Sequence, residues 1–197
     1  DDGLEIPKIM IEKAPLFIRV NTLRSDEQTV MEELDKDKIL YERIFENCLR
    51  IASQVNLQNH QLYRSGQIEI QDEGSQRVGL FTRVVPGNIV IDTCAGAGGK
   101  SLQMAALMQN RGRILALDIN KSSLNELNLR KVRNKAQIID VHHYSEIKLI
   151  DYAGLADTVI CDVPCSGSGT FRREVDRKWK LSSAELAELV KKQQQIL

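Results

Sequence analysis

The spacing of hydrophobic and polar positions changes near residue 88. From there on, short apolar runs alternate with longer segments in which apolar residues recur every three or four positions. The runs predict strands at residues 88–92, 114–118, 137–141 and 158–162, and the longer segments predict helices at residues 100–108 and 124–132. Because strands that alternate with helices pair in parallel, this region predicts a doubly wound α/β sheet.

The first part of the chain has a different pattern. Its apolar residues predict strands at residues 16–20, 44–52 and 66–71, and helices at residues 26–34 and 72–85. Pro86 and Gly87 then mark a turn ahead of the alternating region. We expect a small α+β module over residues 1–65 and an α/β domain over residues 66–197.

Composition excludes several classes of protein. The chain has 197 residues, 42% of them hydrophobic, and 27 basic side chains balance 27 acidic ones. A disordered chain would have fewer aliphatic residues and more net charge. A membrane span would need about 18 to 20 consecutive apolar residues, and the apolar runs here are far shorter. We expect a folded cytoplasmic protein that does not enter a membrane.

The cysteines and histidines do not follow a metal-binding pattern. Cys161 and Cys165 have three residues between them, and no second pair of ligands accompanies them at a suitable spacing. We therefore expect no metal site, and thiols that stay reduced.

Charge is unevenly distributed although it sums to zero. Acidic side chains are in excess over residues 1–46, and basic ones cluster at residues 121–135 and 171–180. The first cluster is also typical of the solvated face of a helix. The second combines basic side chains with Phe171 and Trp179, a mixture suited to phosphate contact and base stacking. This stretch favours a local surface for nucleic acid.

A glycine-rich turn follows the first strand of the alternating region. Residues 92–101 read DTCAGAGGKS, and such a turn brings a ligand close to the backbone where a helix begins. A phosphate-binding Walker loop is excluded, because Cys94 occupies the position of its first glycine. A dinucleotide-binding turn has the pattern G-x-G-x-x-G or G-x-G-x-x-A. Gly96 and Gly98 match its first two glycines, but Ser101 stands in its last position.

An acidic residue, Asp118, stands at the end of the second strand of this region. A carboxylate there suits a ribose diol, which both NAD and S-adenosylmethionine carry, so it does not separate the two cofactors. Asp also commonly caps the helix that follows. The ligand of the glycine-rich turn therefore stays open at this point.

The segment after the fourth strand is more informative. It reads DVPCSGSG over residues 162–169, so that Asp162 and Cys165 flank a proline in a tight turn. Ligands of doubly wound sheets bind beyond the carboxyl ends of the strands, where this turn is expected. Nicotinamide chemistry calls for no such residues, although a tight turn with an incidental thiol is the simpler alternative.

Taken in order, these motifs resemble the Sun/Fmu (NOP2/NSUN-like) family of S-adenosylmethionine-dependent RNA cytosine-C5 methyltransferases. CAGAGGK at residues 94–100 is similar to the family's CAAPGGK, and DVPCSGSG is similar to its DAPCSGTG. FRREVDRKW at residues 171–179 resembles the RR-x-PD-x-KW that follows in the family. FIRVNTLRSD at residues 17–26 and GQIEIQDEGSQ at residues 66–76 resemble the RNA-binding module and the lead-in to the catalytic domain. The likeness implies a Rossmann-like methyltransferase fold preceded by a small RNA-binding module.

The resemblance also implies a mechanism, with S-adenosylmethionine as cofactor and RNA as substrate. In this family a cysteine thiolate adds to carbon 6 of cytosine, which makes carbon 5 nucleophilic enough to take up the methyl group. Asp162 would hydrogen-bond the base near N3, Lys100 would position it, and Cys165 would serve in the elimination that releases the product. The implied cofactor contacts are Cys94, Ala95, Gly96, Ala97, Gly98, Gly99, Lys100, Asp118, Asp140 and Asp162.

The chain departs from the family pattern at three places. Ala97 and Val175 each replace a proline, which removes rigidity but no functional group. The acid expected to meet the adenine after the third strand is displaced, and Asp140 is the nearest one, with His142 or His143 as substitutes.

Both ends of the chain bear on what it can do. The sequence begins with Asp1 and shows no signal-peptide pattern at its start. We therefore expect it to begin inside a longer chain or after a leader. In the family, the nucleophilic cysteine lies on the strand after the helix that begins near Ser182, and the sequence ends at Leu197. We therefore expect the nucleophile and the last sheet strands beyond residue 197, and no turnover by these residues alone.

Other functions stay open. The chain could be a non-catalytic RNA-binding protein that keeps the methyltransferase fold. It could also methylate an amino group through the Asp-x-Pro turn, but an aromatic residue would then be expected in place of Cys165 to stack the base. Family members that act on ribosomal RNA and on transfer RNA share these motifs, so the residues do not identify the RNA. Of the two, we expect ribosomal RNA.

Overall fold

The computed structural model describes residues 14–170, 179 and 181–196 of the chain. Leu16–Asp162 form one compact unit, and the described residues from Val163 onward belong to a second. Within these described ranges, no helix has both the length and the apolar composition needed to cross a membrane.

Four antiparallel strands form the first sheet, in the order β2-β3-β1-β4. The strands are β1 (Leu16–Val20), β2 (Tyr41–Phe45), β3 (Cys48–Ile51) and β4 (Ile68–Ile70). They are connected by α1 (Glu27–Lys36), a 3-10 turn (Leu57–Asn59) and α2 (Gln61–Arg64). Asp26 caps α1 by accepting a hydrogen bond from the Thr29 N–H at 2.8 Å. Val30 and Leu34 on α1 then pack against the apolar face of the sheet.

Two predictions for this sheet need correction. The single strand predicted over residues 44–52 is wrong, because the segment belongs to a hairpin of β2 and β3 whose turn contains Asn47 at a φ of +63°. Asn tolerates this left-handed conformation better than most residues, and this allows the chain to reverse there. The strand predicted over residues 66–71 is present as β4, but it pairs with β1. It therefore belongs to the first sheet, whereas the prediction placed it in the α/β domain.

Four parallel strands form the second sheet, in the order β7-β6-β5-β8. The strands are β5 (Ile89–Asp92), β6 (Arg113–Asp118), β7 (Ile139–His143) and β8 (Thr158–Ile160). Helix α3 (Glu73–Phe81) precedes β5, α4 (Gly99–Leu107) links β5 to β6, and α5 (Lys121–Asn134) links β6 to β7. Two 3-10 turns (Tyr144–Glu146 and Leu149–Tyr152) lead into β8. The predicted parallel α/β sheet is confirmed.

The second sheet is covered on both faces, as the alternation of side chains along β6 shows. Ile114 and Ala116 lie in a core that includes Leu102 of α4 and Leu127 of α5. Leu115 and Leu117 point to the opposite face, where partly buried side chains of residues 144–156 pack against them. Continuous apolar strands are what a sheet covered on both sides requires.

The second compact unit is described by itself. It contains a 3-10 turn (Ser168–Thr170) and helix α6 (Ser183–Ile196). The Ser182 hydroxyl accepts a hydrogen bond from the Glu185 N–H at 3.2 Å, which caps the start of α6. Gln193 Nε2 donates to the Pro164 carbonyl at 2.7 Å and ties α6 to residues near Cys165.

A buried carboxylate joins the first sheet to helix α5. Glu69 of β4 is 1% exposed and accepts hydrogen bonds from Arg130 at 2.6 Å, from Arg133 at 2.5 Å and from Asn134 at 2.5 Å. Asn134 in turn accepts from Asn21 Nδ2 at 3.0 Å. Burial by itself would raise the pKa of Glu69, but the nearby Arg130 charge and these hydrogen bonds lower it overall. A charge buried this deeply is tolerated because it is paired and hydrogen-bonded.

Gly66 permits the backbone of α5 to approach the first sheet, and its substitution is therefore informative. It has a φ of +74°, and a Cβ added there would lie 2.2 Å from the Arg133 carbonyl oxygen. Gly154 has a φ of +75° with nothing within 4 Å of such a Cβ. We expect Gly66→Ala to lower the free energy of unfolding by about 1–3 kcal/mol more than Gly154→Ala, because only the former adds a steric clash to the backbone cost.

Urea denaturation of both variants measures this difference. Because the two substitutions share their backbone conformation, equal losses of stability would show that the contact between Gly66 and Arg133 is not close-packed.

Candidate functional site

The carboxyl ends of β5, β6 and β8 meet at one edge of the second sheet. The chain adds β6 and β7 on one side of β5 and then returns to place β8 on its other side. Loops that leave β5 and β8 therefore diverge, and such a switch in strand order is where doubly wound sheets bind their ligands. The glycine-rich turn follows β5, and Asp162 comes two residues after β8.

Two glycines in left-handed conformations shape the turn between β5 and α4. Gly96 has a φ of +53° and Gly98 a φ of +84°. A Cβ on Gly98 would lie 2.0 Å from Leu127 Cδ1, whereas one on Gly96 would meet nothing within 4 Å. Gly98 is thus required for the turn to pack against α5, and Gly96 has open space beside it. The N–H of Ala95 donates to the Leu117 carbonyl at 2.9 Å, which fastens the turn to β6.

Asp118 lies beside this turn at the end of β6. Its Oδ2 accepts a hydrogen bond from the Gly96 N–H at 2.8 Å, and its Oδ1 accepts from the Asn120 N–H at 2.8 Å. Helix α5 is capped by Asn120, which accepts from the amides of Ser122 and Ser123. The alternative role of Asp118 as a helix cap is therefore filled by Asn120. Each Asp118 oxygen has one protein hydrogen bond and can accept another.

Lys100 and Asp162 form an ion pair across this edge. The Lys100 Nζ lies 2.5 Å from Asp162 Oδ2, and the two side chains are 16% and 55% exposed. Lys100 is in the first turn of α4, so the pair connects the helix after β5 with the loop after β8. The structure thus brings Lys100 and Asp162 together next to the glycine-rich turn.

The start of α4 leaves donors available for a ligand. Gly98, the residue preceding α4, provides no side chain to cap the helix. Backbone N–H groups in the first turn of a helix have no partner within it, and the helix dipole favours negative charge at this end. Together with Asp118 and the open space at Gly96, the turn can hold a ligand that carries both an anionic group and hydroxyls.

Asp92 is a buried acid for which no role was predicted from the sequence. It is 1% exposed at the end of β5, and the Ser101 hydroxyl donates to its Oδ2 at 2.6 Å. Burial raises the pKa of Asp92 to about 6, against the opposing effect of hydrogen bonds from Ser101 and the Cys94 amide. The sequence does contain a signal for this buried acid, because Asp92 directly follows the apolar run IVI at residues 89–91.

Asp140 is not brought to this edge, and its predicted cofactor contact is corrected. It is the second residue of β7, and its carboxylate accepts a hydrogen bond at 2.6 Å from Arg113, the first residue of β6. That contact lies toward the opposite edge of the sheet. At the carboxyl end of β7, His143 pairs in register with Asp118, and its ring Nε2 lies 3.0 Å from the Ile119 carbonyl oxygen. Of the named substitutes, His143 is therefore the one beside Asp118.

The cysteines differ in their surroundings. Cys94 is half-buried in the turn, and burial raises the pKa of its thiol. Cys165 is exposed and belongs to the second unit, and none of the four cysteines forms a disulfide. Over the described ranges, no group of three or more His, Cys, Asp or Glu side chains could hold a metal ion.

The basic and aromatic stretch predicted over residues 171–180 falls almost wholly outside the described residues. Trp179 is the one residue of the stretch that is described, and its side chain is 81% exposed.

Comparison with known proteins connects this edge to a family. The family model described as 16S rRNA methyltransferase RsmB/F matches residues 79–197, which include the glycine-rich turn, Asp118 and Asp162. The ribosomal RNA small subunit methyltransferase B of Pasteurella multocida is 28% identical over 98% of this chain and 45% of its own length. The 25S rRNA (cytosine-C(5))-methyltransferase NSUN5 of Arabidopsis thaliana is 28% identical over 82% of this chain and 29% of its own length. The chain thus spans less than half the length of these curated relatives.

A solved structure agrees with the fold. The crystal structure of a methyltransferase homologue from Pyrococcus horikoshii superposes with a TM-score of 0.80 at 28% identity. The match covers 89% of this chain and 59% of that protein. The Rossmann-like methyltransferase fold expected from the sequence is confirmed.

The buried Asp92 carboxyl leads to a prediction about pH. Its pKa of about 6 in the folded protein exceeds the unfolded value of about 3.9, so the folded state favours the neutral acid. This contribution to stability is fully present below pH 4 and is lost as the pH rises through 6. We expect Asp92→Asn, whose amide oxygen can still accept from Ser101, to gain on the order of 2–3 kcal/mol relative to the parent between pH 4 and 7.5.

Urea denaturation of the parent and the variant across this pH range measures the gain. If the difference in unfolding free energy between the two proteins does not change with pH, the carboxyl is not held neutral by burial.

Proposed function

The chain belongs to the 16S rRNA methyltransferase RsmB/F family, and on this premise we propose that it transfers a methyl group from S-adenosylmethionine to carbon 5 of a cytosine in ribosomal RNA. The observation that carries the proposal is the ion pair of Lys100 and Asp162 beside the glycine-rich turn. It supports the proposal because the pair offers a donor and an acceptor that would suit a base, next to a turn that would suit the cofactor.

The turn fits S-adenosylmethionine in three respects. The uncapped start of α4 suits the carboxylate of the methionine part. The open space beside Gly96 allows a ligand to reach the backbone of residues 94–99. Asp118 has capacity left to accept hydrogen bonds from the ribose diol. When bound, S-adenosylmethionine supplies an electrophilic methyl group.

The Lys100–Asp162 pair supports a role in holding the base. The carboxylate of Asp162 accepts hydrogen bonds, and the ammonium of Lys100 donates them. Cytosine presents an amino donor beside the N3 acceptor on one edge, so a paired acceptor and donor suit that edge. Because Asp162 is the more exposed of the two side chains, it is the more accessible to a base.

The chemical steps follow the covalent route that the family resemblance implies. A cysteine thiolate would bond to carbon 6, and the electron pair displaced from the C5–C6 double bond would form the new bond from carbon 5 to the methyl group as the methyl–sulfonium bond of S-adenosylmethionine breaks and S-adenosylhomocysteine leaves. Loss of the proton from carbon 5 then restores the double bond as the sulfur–carbon bond breaks. We assign Cys165 to this elimination.

The RNA substrate is proposed from the relatives. Both curated relatives described above carry ribosomal RNA in their names. We assign RNA binding to the small module around the first sheet and to the basic stretch at residues 171–180, and transfer RNA is the alternative substrate that an assay must include.

Tritium transfer from labelled S-adenosylmethionine to unmodified ribosomal and transfer RNA tests the proposal, using the intact protein. We expect incorporation into ribosomal RNA and a fall in kcat on the order of a hundredfold in Lys100→Met and in Asp162→Asn, because each loses a polar contact to the base. Lys148→Met, which removes an exposed lysine elsewhere, serves as the control and should retain the parent rate.

Incorporation into transfer RNA alone would correct the substrate. If neither RNA is labelled although both bind, the protein is a binding protein that keeps the fold, and the proposed activity is wrong.

A second prediction concerns Cys165. If this thiol serves in elimination, Cys165→Ala should accumulate a covalent protein–RNA adduct that survives denaturing electrophoresis, whereas Cys161→Ala should not. An active Cys165→Ala protein without an adduct would show that the thiol has no part in product release.

A further inference from the structure

One arginine links the buried carboxylate of the first sheet to the glycine-rich turn. Arg130 of α5 donates from Nη2 to Glu69 Oε2 at 2.6 Å, and from Nη1 to the Ala97 carbonyl at 2.7 Å. Its side chain is 13% exposed. A single guanidinium thus contacts β4 on one side and the turn after β5 on the other.

The contact with Ala97 sets the orientation of one peptide group in the turn. Because a peptide unit is planar, its carbonyl and N–H point in fixed opposite directions. Arg130 holds the Ala97 carbonyl, and the N–H of the same peptide, on Gly98, donates to the Ala95 carbonyl at 2.8 Å. The peptide between Ala97 and Gly98 is therefore held at both ends.

Glycine makes this restraint necessary. Gly98 has a φ of +84° and is followed by Gly99, so the local chain has more accessible conformations than any other pair of residues would give. Rotation of the peptide before Gly98 would turn the Ala97 carbonyl toward the Ala95 carbonyl, break the bond that the Gly98 N–H now donates there, and so disturb the turn ahead of α4. A bond to the Ala97 carbonyl from outside the turn prevents that rotation.

The anchor of Arg130 is rigid. Glu69 is buried, and Arg133 and Asn134 hold its other oxygen. A guanidinium has donors in a fixed planar fork, so one side chain can hold the carboxylate and the carbonyl at once, which an ammonium cannot do with the same geometry. Through Arg130, the position of the turn is thereby fixed relative to β4 of the first sheet.

We propose that Arg130 is a positioning residue for the cofactor: it fixes the Ala97–Gly98 peptide so that the first amides of α4 face the bound S-adenosylmethionine. The inference rests on the proposed function for the identity of the ligand. It adds a residue on α5, outside the motifs, whose effect on the cofactor passes through the backbone of the turn.

Arg133 offers a matched control on the same helix. It also donates to Glu69, through Nη2 at 2.5 Å, and its guanidinium lies over the Tyr63 ring at 4.0 Å from the centroid. Among the described contacts, those of Arg133 include none with the turn. Arg130→Met and Arg133→Met therefore each remove one ion pair of Glu69, and only the former releases the Ala97 carbonyl.

The test measures the binding of S-adenosylmethionine to the intact parent and both variants by calorimetry, together with hydrogen exchange of the Gly98 and Gly99 amides without cofactor. We expect Arg130→Met to weaken binding about tenfold and to speed this exchange, as loss of one charged hydrogen bond implies. Arg133→Met should change Kd by less than about twofold at a comparable loss of stability. Arg130→Lys should restore part of the affinity, because Lys can reach one of the two acceptors.

The outcomes separate the two proposals. Equal affinities of Arg130→Met and Arg133→Met, with the parent binding normally, would overturn the positioning role and leave the proposed function intact. A parent protein that does not bind S-adenosylmethionine would overturn the proposed function and the cofactor role of Arg130 with it. Unchanged amide exchange in Arg130→Met would show that the turn keeps its conformation without the arginine.

Discussion

A carboxylate buried between the first sheet and helix α5 constrains the elements around it. Glu69 is tolerated only if cations and amide donors reach it, and those donors come from a helix of the other sheet. Removing one partner of such a group leaves an uncompensated charge, which is far more costly than the pair is stabilising. The mutual position of β4 and α5 is therefore held by an electrostatic requirement as well as by packing. Gly66 and Asn21 meet the same helix at its last turn and reinforce this arrangement.

In the candidate site, neighbouring residues select the conformation of a flexible turn. Its glycines permit the left-handed conformations, but they do not select one arrangement by themselves. Selection comes from hydrogen bonds that fasten the turn to β6 and α5 and from one that joins its two ends. The Ala95 amide reaches β6, the Gly96 amide reaches Asp118, the Ala97 carbonyl reaches Arg130, and Ser101 reaches Asp92. The turn therefore lets a ligand approach its backbone closely and still keeps the single conformation that binding requires.

The sequence predicted what depends on local pattern and failed where distant contacts decide. The alternation after residue 88 is periodic, so the parallel sheet could be predicted, and with it the edge beyond which the glycine-rich turn and the turn at Asp162 lie. The turn at Asn47 was missed because apolar residues continue on both sides of it. Asp140 was placed by its distance along the chain, whereas its direction along β7 and its Arg113 partner depend on strand register. Arg130 lies 61 residues from Glu69, and no short-range pattern marks that pair.

The strand order has a kinetic consequence. Lys100 and Asp162 are 62 residues apart, and β8 reaches β5 only after β6 and β7 have been placed on the other side. Closing so long a loop costs chain entropy before its contacts repay that cost, so local pairs form earlier and β8 adds late. On a growing chain, β5, β6 and β7 can assemble before Asp162 has been synthesised. Asp162 thus joins the ion pair after Lys100 is already in place. The edge of the sheet is complete only once β8 has paired with β5.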